Sequence, residues 1–276
     1  MKDRSWGWVV VAGMGLLAQA VCAQQADRQE WLVAGSGTNT LLTKVLVEAF
    51  TDRHPDIRIR VGSSIGSTGG IKAVHAGKIA LALTSRPLRT EEQSWNLKSL
   101  SYARTAVVFG VNSSVPDGAV STQDVLDIFA GRRDKWSNGD TIVVVMREEG
   151  DSGAELLMNA IPDIRSLFEK AWRAGTWRIE YRDAECNRTL ERLKGAIGWS
   201  DLGSIRLGGH SIKPLKFDGR LPSAESVASG RYPLYKDLSF VYSEERMPAS
   251  LRAFVEFVRS GEGEALIRKS GYVPLK

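Results

Sequence analysis

The chain has 276 residues, of which 43% are hydrophobic and 25% are charged, a composition typical of a globular protein with a sizeable core. This length fits either one large domain or two smaller ones. The formal charge of +5 is scattered along the sequence, without a basic stripe interleaved with aromatic residues, and this argues against nucleic acid as a partner.

The N-terminus has the pattern of an export signal. Lys2 and Arg4 precede an apolar, uncharged run that is too short to span a bilayer comfortably. Val21-Cys22-Ala23 places small residues at the −3 and −1 positions, so we expect residues 1–23 to be a signal peptide and the mature protein to be periplasmic or secreted. The alternative is a lipoprotein anchored through Cys22.

The remainder alternates between strand-like and helix-like patterns, which predicts an α/β fold. Strands are predicted over residues 31–34, 57–61, 79–83, 106–111, 141–146, 195–199 and 238–242. Helices are predicted near residues 41–50, 71–75, 125–129, 156–160, 164–174, 189–193, 251–258 and 264–269. The run over 141–146 is almost entirely β-branched, as is typical of a strand buried on both faces.

Three stretches, over residues 35–40, 64–70 and 147–153, place glycines and hydroxyl side chains where a helix is about to begin. A helix N-terminus offers free N–H groups and partial positive charge to an anion, and glycine lets the backbone come close to it. Each stretch alone is also consistent with an ordinary helix cap. Their repetition, with Arg147 as a forked partner, predicts that they converge on one oxyanion.

Catalytic patterns are weak by comparison. The three histidines, His54, His75 and His210, fall in no metal-binding or triad motif. Adjacent acidic residues such as Glu148-Glu149 point apart on a strand or helix, which disfavours paired acid–base work. After cleavage Cys186 would be the only cysteine, so we expect it to be buried and structural. The sequence therefore favours a binding protein over an enzyme, with no metal and no cofactor.

An ordered set of short motifs extends over nearly all of the mature chain. They are Gly35-Ser36-Gly37-Thr38, Ile65-Gly66-Ser67-Thr68-Gly69-Gly70-Ile71-Lys72, Ser85-Arg86-Pro87-Leu88, Ile128-Phe129-Ala130-Gly131 with Lys135-Trp136-Ser137, Gly195-Ala196-Ile197-Gly198-Trp199, Tyr232-Pro233-Leu234 and Gly271-Tyr272-Val273-Pro274-Leu275. This set resembles the phosphate-binding proteins of ABC importers, which belong to the exported solute-binding proteins with two lobes.

The resemblance implies a two-lobed periplasmic-binding-protein fold of type II, in which each lobe is a mixed sheet flanked by helices and two crossovers form the hinge. Lobe 1 would comprise residues 28–107 plus 214–276, and lobe 2 residues 108–213. The ligand would be held in the cleft between them. By position, the implied ligand-binding residues are Thr38, Asn39, Ser67, Gly69, Ser85, Arg147, Ser152 and Gly153.

The resemblance also implies roles for these residues. Thr38 and Ser67 would donate hydroxyls, and Asn39 and Gly69 would donate backbone N–H groups. Arg147 would form a charge-assisted bond to the anion, either monodentate or bidentate. Its alternative role is a surface ion pair with Glu148 or Glu149.

The chain departs from the family pattern at three places. Phosphate-specific members often have Asp where this chain has Ser85, so the discrimination between phosphate and sulfate is in question. Arg86 either adds positive charge to the site or faces solvent. In the third loop Asp151 is inserted and Ala154 replaces a threonine. Asp151 either faces the anion or caps the helix, and we expect the cap.

The functional hypothesis is an exported, monomeric receptor that delivers inorganic phosphate to an ABC permease in the inner membrane. Sulfate, molybdate, arsenate and phosphonates remain alternative ligands. A receptor of the same fold that serves signalling, scavenging or attachment through a protein partner is the second hypothesis. A hydrolase of phosphate esters is the third, and it lacks recognisable catalytic groups.

Overall fold

The computed structural model describes residues 30–276, so the predicted signal peptide and Cys22 lie outside the described residues. Its strands, in chain order, are β1 (Glu30–Gly35), β2 (Arg58–Val61), β3 (Leu81–Thr84), β4 (Lys98–Asn112), β5 (Ala119–Val120), β6 (Val143–Arg147), β7 (Arg178–Glu180), β8 (Ala196–Asp201), β9 (Ile212–Pro214), β10 (Lys216–Phe217), β11 (Tyr235–Tyr242) and β12 (Val273–Pro274).

The helices alternate with these strands along much of the chain. They are α1 (Gly37–Thr51), α2 (Gly66–His75), α3 (Thr90–Gln93), α4 (Thr122–Phe129), α5 (Ser152–Ala160), α6 (Ile164–Ala174), α7 (Asp183–Arg192), α8 (Leu202–Leu207), α9 (Ala224–Ala228), α10 (Ala249–Arg259) and α11 (Gly261–Lys269), with a 3₁₀ turn at Glu244–Arg246. Within residues 30–276, none of the helices combines the length and the apolar character that crossing a bilayer requires.

Ten strands form one continuous mixed sheet, in the order β2-β1-β3-β11-β4-β8-β6-β7, with β9 and β12 also paired to β4. β1 lies parallel to β2 and β3, whereas β11 lies antiparallel to both β3 and β4. β4 pairs with β11 over residues 98–106 and with β8 over residues 107–111. This single strand of 15 residues therefore runs through both halves of the sheet.

The buried side chains form two main hydrophobic cores on either side of this division. The first core draws on residues 33–103 and 238–272. The second core draws on residues 106–234. The chain therefore passes from the first core to the second within β4 and returns at the start of β11.

The return lies later in the chain than the sequence suggested, since residue 214 was the expected boundary. Phe217 packs in the second core, and β10 pairs there with β5. Tyr232 is fully buried in the same core and donates its hydroxyl to the backbone oxygen of Val107 at 2.9 Å. Residues 215–234 thus belong with the second core in packing terms.

A close approach between the backbones of β1 and β3 fixes where the helix α1 begins. Gly35 ends β1 with φ +147°, and a Cβ at this position would lie 2.0 Å from the backbone oxygen of Leu83 on β3. Only glycine accepts this contact and this dihedral without strain. The neighbouring Ser36 N–H donates to the same Leu83 oxygen at 2.8 Å, which fixes the start of α1 at the edge of β3.

Candidate anion-binding site

Three helices, α1, α2 and α5, begin at the boundary between the two cores. The N-cap residues of α1 and α2, Ser36 and Ile65, make no side-chain cap bond to their helices. α5 differs, because Asp151 accepts hydrogen bonds from the N–H groups of Gly153 and Ala154, both at 3.0 Å. The expectation that Asp151 caps this helix is confirmed.

A chain of hydroxyl groups links these helix starts. The Oγ atoms of Ser36 and Ser85 lie 2.7 Å apart, and those of Ser85 and Ser152 lie 2.8 Å apart. Ser67 accepts a hydrogen bond from the Ser85 N–H at 3.1 Å, which ties the start of α2 to the same chain.

A buried lysine completes the link. Lys236 Nζ donates to Ser152 Oγ at 3.3 Å and to Thr38 Oγ1 at 3.0 Å. Thr38 in turn lies 3.5 Å from Asp183 Oδ1. We name the whole group the cleft cluster, and its members are Ser36, Thr38, Ser67, Ser85, Arg147, Ser152, Asp183 and Lys236.

Arg147 enters the cluster from the carboxyl end of β6 and is only 4% exposed. Its guanidinium lies 3.4 Å from Asp183 and 3.5 Å from Asp151, and it donates to the Tyr181 carbonyl at 3.2 Å. The alternative of a surface ion pair with the adjacent glutamates is therefore wrong. Its buried Nε has no hydrogen-bond partner among the described residues, so one donor of the guanidinium is unsatisfied.

The charges in the cluster stabilise one another. Burial alone would lower the pKa of Arg147, but the carboxylates of Asp183 and Asp151 outweigh it and raise that pKa. Burial would likewise raise the pKa of Asp151, yet Arg147 and Lys236 hold it below its usual value. Asp151 is therefore ionised at neutral pH.

Arg86 neither faces solvent nor adds free positive charge to the site, the two roles that the sequence left open. It is 8% exposed, and its guanidinium contacts both oxygens of Glu92 at 2.7 Å. The same group donates to Thr68 Oγ1 at 3.0 Å. Arg86 is therefore neutralised by Glu92 and supports the start of α2, instead of facing solvent or adding free charge.

Three of the predicted ligand residues have other partners in this structure. The Asn39 side chain donates to the Thr84 carbonyl and the Tyr102 hydroxyl, both at 3.1 Å, and its backbone N–H donates to the Ser36 carbonyl at 3.3 Å. Gly69 packs against the side chain of Ile65. The Gly153 N–H is bound by Asp151. Contributions from these N–H groups stay predictions.

Asp183 and Lys236 are the cluster members that sequence reasoning missed. Asp183 opens α7, where an acidic residue is common in any helix, so it carried no signal of its own. Lys236 lies on β11 between Leu234 and Leu238, which are both buried. A lysine inside such an apolar stretch was the signal that could have identified it.

Two cavities adjoin the cleft cluster. One of about 340 Å³ is lined by Gly37, Ser67, Arg147, Ser152 and Asp183, among others. A second, of about 730 Å³, is lined by Ser85, Ser152 and Lys236 together with apolar residues such as Leu156. The serine hydroxyls of the cluster thus line space that a small ligand can enter, with Arg147 at the first cavity and Lys236 at the second.

Comparison with known proteins agrees with this architecture. The sequence profile described as PBP superfamily domain matches residues 20–262. The chain belongs to the PBP superfamily. Among its curated relatives, Protein SphX of Synechococcus elongatus is 28% identical, over 91% of this chain and 80% of that protein. Phosphate-binding protein PstS of Bacillus subtilis is 24% identical, over 88% of this chain and 80% of that protein.

Solved structures of two phosphate-binding proteins share the fold. A phosphate-bound substrate-binding protein, assigned to a phosphate ABC transporter of Clostridium perfringens, has a TM-score of 0.80 at 23% identity, over 90% of this chain and 100% of that chain. An ABC-type phosphate transport receptor of Vibrio cholerae has a TM-score of 0.62 at 21% identity, over 89% and 99%. The predicted two-lobed α/β fold is confirmed by these likenesses.

Proposed function

We propose that this protein captures inorganic phosphate, or a similar tetrahedral oxyanion, in the cleft between its two cores and delivers it to an ABC importer. The observation that carries the proposal is the cleft cluster itself. It brings the hydroxyls of three helix starts and the buried Arg147 into one connected group. Oriented hydroxyl, N–H and guanidinium donors, removed from water, are what an oxyanion requires.

Phosphate is favoured over sulfate by the carboxylate of Asp183 within the cluster. At neutral pH every inorganic phosphate ion carries at least one proton, whereas sulfate carries none. A carboxylate can accept a hydrogen bond from that proton and repels an anion without one. The names of the B. subtilis and C. perfringens relatives, which both refer to phosphate, support the same choice.

The predicted export signal and the chemistry of the cleft cluster together favour a role in transport. An export signal over residues 1–23 would bring the mature protein to the periplasm or outside the cell, where an ABC permease in the inner membrane is its partner. The donors of the cluster and the carboxylate of Asp183 are groups suited to binding and orienting an anion. We therefore assign it a receptor role, with release of the unchanged ligand to the permease after the lobes open by hinge motion.

The test is isothermal titration calorimetry on mature protein that has been stripped of ligand by unfolding and refolding. Phosphate, sulfate and molybdate are titrated separately at pH 7 and pH 5. We expect tight binding of phosphate. Binding of sulfate or molybdate alone would keep the site and overturn the ligand. Binding of none of the three would overturn the anion site and favour a receptor that acts through a protein partner.

Arg147→Ala tests the residue on which the proposal depends most. We expect phosphate binding to weaken by at least about 1.5 kcal/mol, or more than tenfold in Kd, because a charge-assisted bond is lost. Arg231→Ala is the matched control, since the Arg231 side chain is 64% exposed and pairs with the exposed Glu225. Equal affinity of the Arg147 variant and the control would contradict the proposed site.

A further inference from the structure

Three cationic side chains are buried in residues 30–276, and they differ in how their charge is balanced. Arg86 contacts Glu92 at 2.7 Å, and Arg147 contacts Asp183 at 3.4 Å. Lys236, which is 7% exposed, forms no ion pair with any carboxylate of the described residues. Its two hydrogen-bond partners, Thr38 and Ser152, are neutral hydroxyls.

A buried ammonium whose direct contacts are hydroxyls is costly, because neither hydroxyl replaces the solvation that the charge loses on leaving water. An anion beside it removes much of that cost. Lys236 is therefore the buried cation that gains most from a bound anion, whereas the charge of Arg147 is already shared between two carboxylates.

The position of Lys236 also suits a ligand that both cores share. It lies opposite Thr105 in the pairing of β11 with β4, where the chain passes between the two cores. The neighbouring Asp237 forms an ion pair with Arg104, whose Nε and Nη2 donate to its two carboxylate oxygens at 2.5 and 3.0 Å. Because side chains alternate along a strand, Lys236 extends to the opposite face, towards the starts of α1 and α5.

The charges around Arg147 also indicate that the site needs a second cation to accept an anion. Two carboxylates, Asp151 and Asp183, lie beside Arg147. With Arg147 as the only cation this group would be formally negative and would repel an anion. Lys236 offsets part of this negative charge. It helps to lower the pKa of Asp151, and it opposes the burial that raises the pKa of a third carboxyl group, Asp201.

We propose that Lys236 is a direct ligand of the bound anion and supplies the charge that lets a site containing Asp151 and Asp183 accept phosphate. This inference rests on the proposed phosphate-binding function. It adds a fourth element, the strand β11, to the three helix starts that the sequence motifs identified. It also explains why a single lysine is buried where the chain passes between the cores.

Lys236→Met tests the inference by calorimetry with inorganic phosphate, because methionine keeps most of the length of the side chain without its charge. We expect Kd to rise by at least about tenfold, the scale of one charge-assisted hydrogen bond. Lys213→Met is the matched control, since Lys213 lies on β9, also paired with β4, and its Nζ donates to the Val115 carbonyl. We expect this control to bind phosphate as the wild type does.

A second measurement needs no variant. Lysine Nζ resonances of the ¹⁵N-labelled wild type are recorded with and without saturating phosphate. Lys236 is the only buried lysine in residues 30–276, so it should give the slowly exchanging signal. We expect that signal to shift on binding, which a purely structural lysine remote from the anion would not show.

The outcomes separate the two proposals. If the wild type binds phosphate but Lys236→Met binds it equally well, or if the buried Nζ signal does not move, the role of Lys236 is overturned and phosphate capture stands. If Lys236→Met does not fold, the Nζ signal of the wild type decides the matter. If the wild type binds no phosphate, the proposed function fails and this inference fails with it.

Discussion

At the scale of single residues, the candidate site contains two charged residues, Asp183 and Lys236, that the sequence motifs did not include. The hydroxyls and Arg147 could be predicted because they lie in glycine-rich stretches just before helices. Asp183 could not, because an acidic residue at the start of a helix needs no ligand to explain it. Lys236 was overlooked, although its place between the buried Leu234 and Leu238 was a signal. The partners of Arg86 were also out of reach, since its ion pair with Glu92 depends on the fold of the loop between β3 and α3.

Asp183→Asn addresses the ligand preference that the sequence left open at Ser85. The change removes the negative charge near Thr38 and Arg147 but preserves the shape of the side chain. We expect sulfate to bind more tightly and the ratio of phosphate to sulfate affinity to fall by about tenfold, because a repulsive and proton-accepting group is lost. Paired calorimetric titrations at pH 7 measure this ratio.

The control for this variant is Asp163→Asn. Asp163 is exposed and has φ +66°, a conformation that asparagine also tolerates. Its ratio of phosphate to sulfate affinity should equal that of the wild type. An unchanged ratio in Asp183→Asn would remove Asp183 from the discrimination and leave it a purely structural partner of Arg147.

At the scale of elements, apolar periodicity predicted the helix α6, and its buried side chains confirm that prediction. α6 extends over Ile164–Ala174, the predicted bounds, because Ile164, Phe168 and Ala171 form a buried stripe and Gly175 ends the helix in the left-handed conformation. The first half of β4 went unpredicted because residues 98–105 are mostly polar. Its strand conformation depends on pairing with β11, which is distant in sequence.

The helix α8 was also missed, and its cap offers a test of pH dependence. Asp201 is buried and accepts a hydrogen bond from the Ser204 N–H at 2.8 Å. Burial raises the pKa of Asp201 from 3.8 to about 6, against the opposing effect of Lys236. The folded state therefore holds this proton more tightly than the unfolded state, and stability falls as the pH rises from about 4 to about 6.

Asp201→Asn should remove this dependence while keeping a good N-cap. The raised pKa of the acid is equivalent to a cost of up to about 3 kcal/mol at neutral pH. We expect the variant to be more stable than the wild type by about 1–3 kcal/mol at pH 7.5 and equally stable near pH 4. Urea unfolding at pH 4, 6 and 7.5 measures the difference. A difference that does not vary with pH would contradict this assignment.

At the scale of the whole molecule, the alternation of elements predicted an α/β chain, and the ordered motifs added the two-lobed fold. Residues 215–234 pack with the second core, although their sequence carries no local mark of the core that they join. Their place is set by distant partners, such as Val120 opposite Phe217 and the Val107 carbonyl that receives the Tyr232 hydroxyl.

Contacts across the cleft show that the two cores lie close together in this structure. Ser85 reaches Ser152, Thr38 reaches Asp183, and Arg89 pairs with Glu155. A further tight approach across the cleft is at Gly37, the first residue of α1. A Cβ there would lie 2.1 Å from Asp183 Oδ2 on α7. This position is therefore sensitive to closure of the cleft and insensitive to the fold of either core.

Gly37→Ala tests whether the cleft closes when phosphate binds. Gly37 has no positive φ, so alanine fits the start of α1 whenever α7 is distant, and the Tm of the ligand-free protein should stay the same or rise slightly. In the closed form the methyl group collides with Asp183, so we expect phosphate affinity to fall at least about tenfold. Small-angle X-ray scattering should also show less compaction on addition of phosphate.

Gly261→Ala is the matched control, because Gly261 is likewise the first residue of a helix and a Cβ there meets nothing within 4 Å. It should bind phosphate and compact as the wild type does. Wild-type affinity and compaction in Gly37→Ala would mean that phosphate binds without the approach of α1 to α7. In that case the contacts of Thr38 and Arg147 with Asp183 would not belong to the ligand-bound state, and capture by closure of the two lobes would be ruled out.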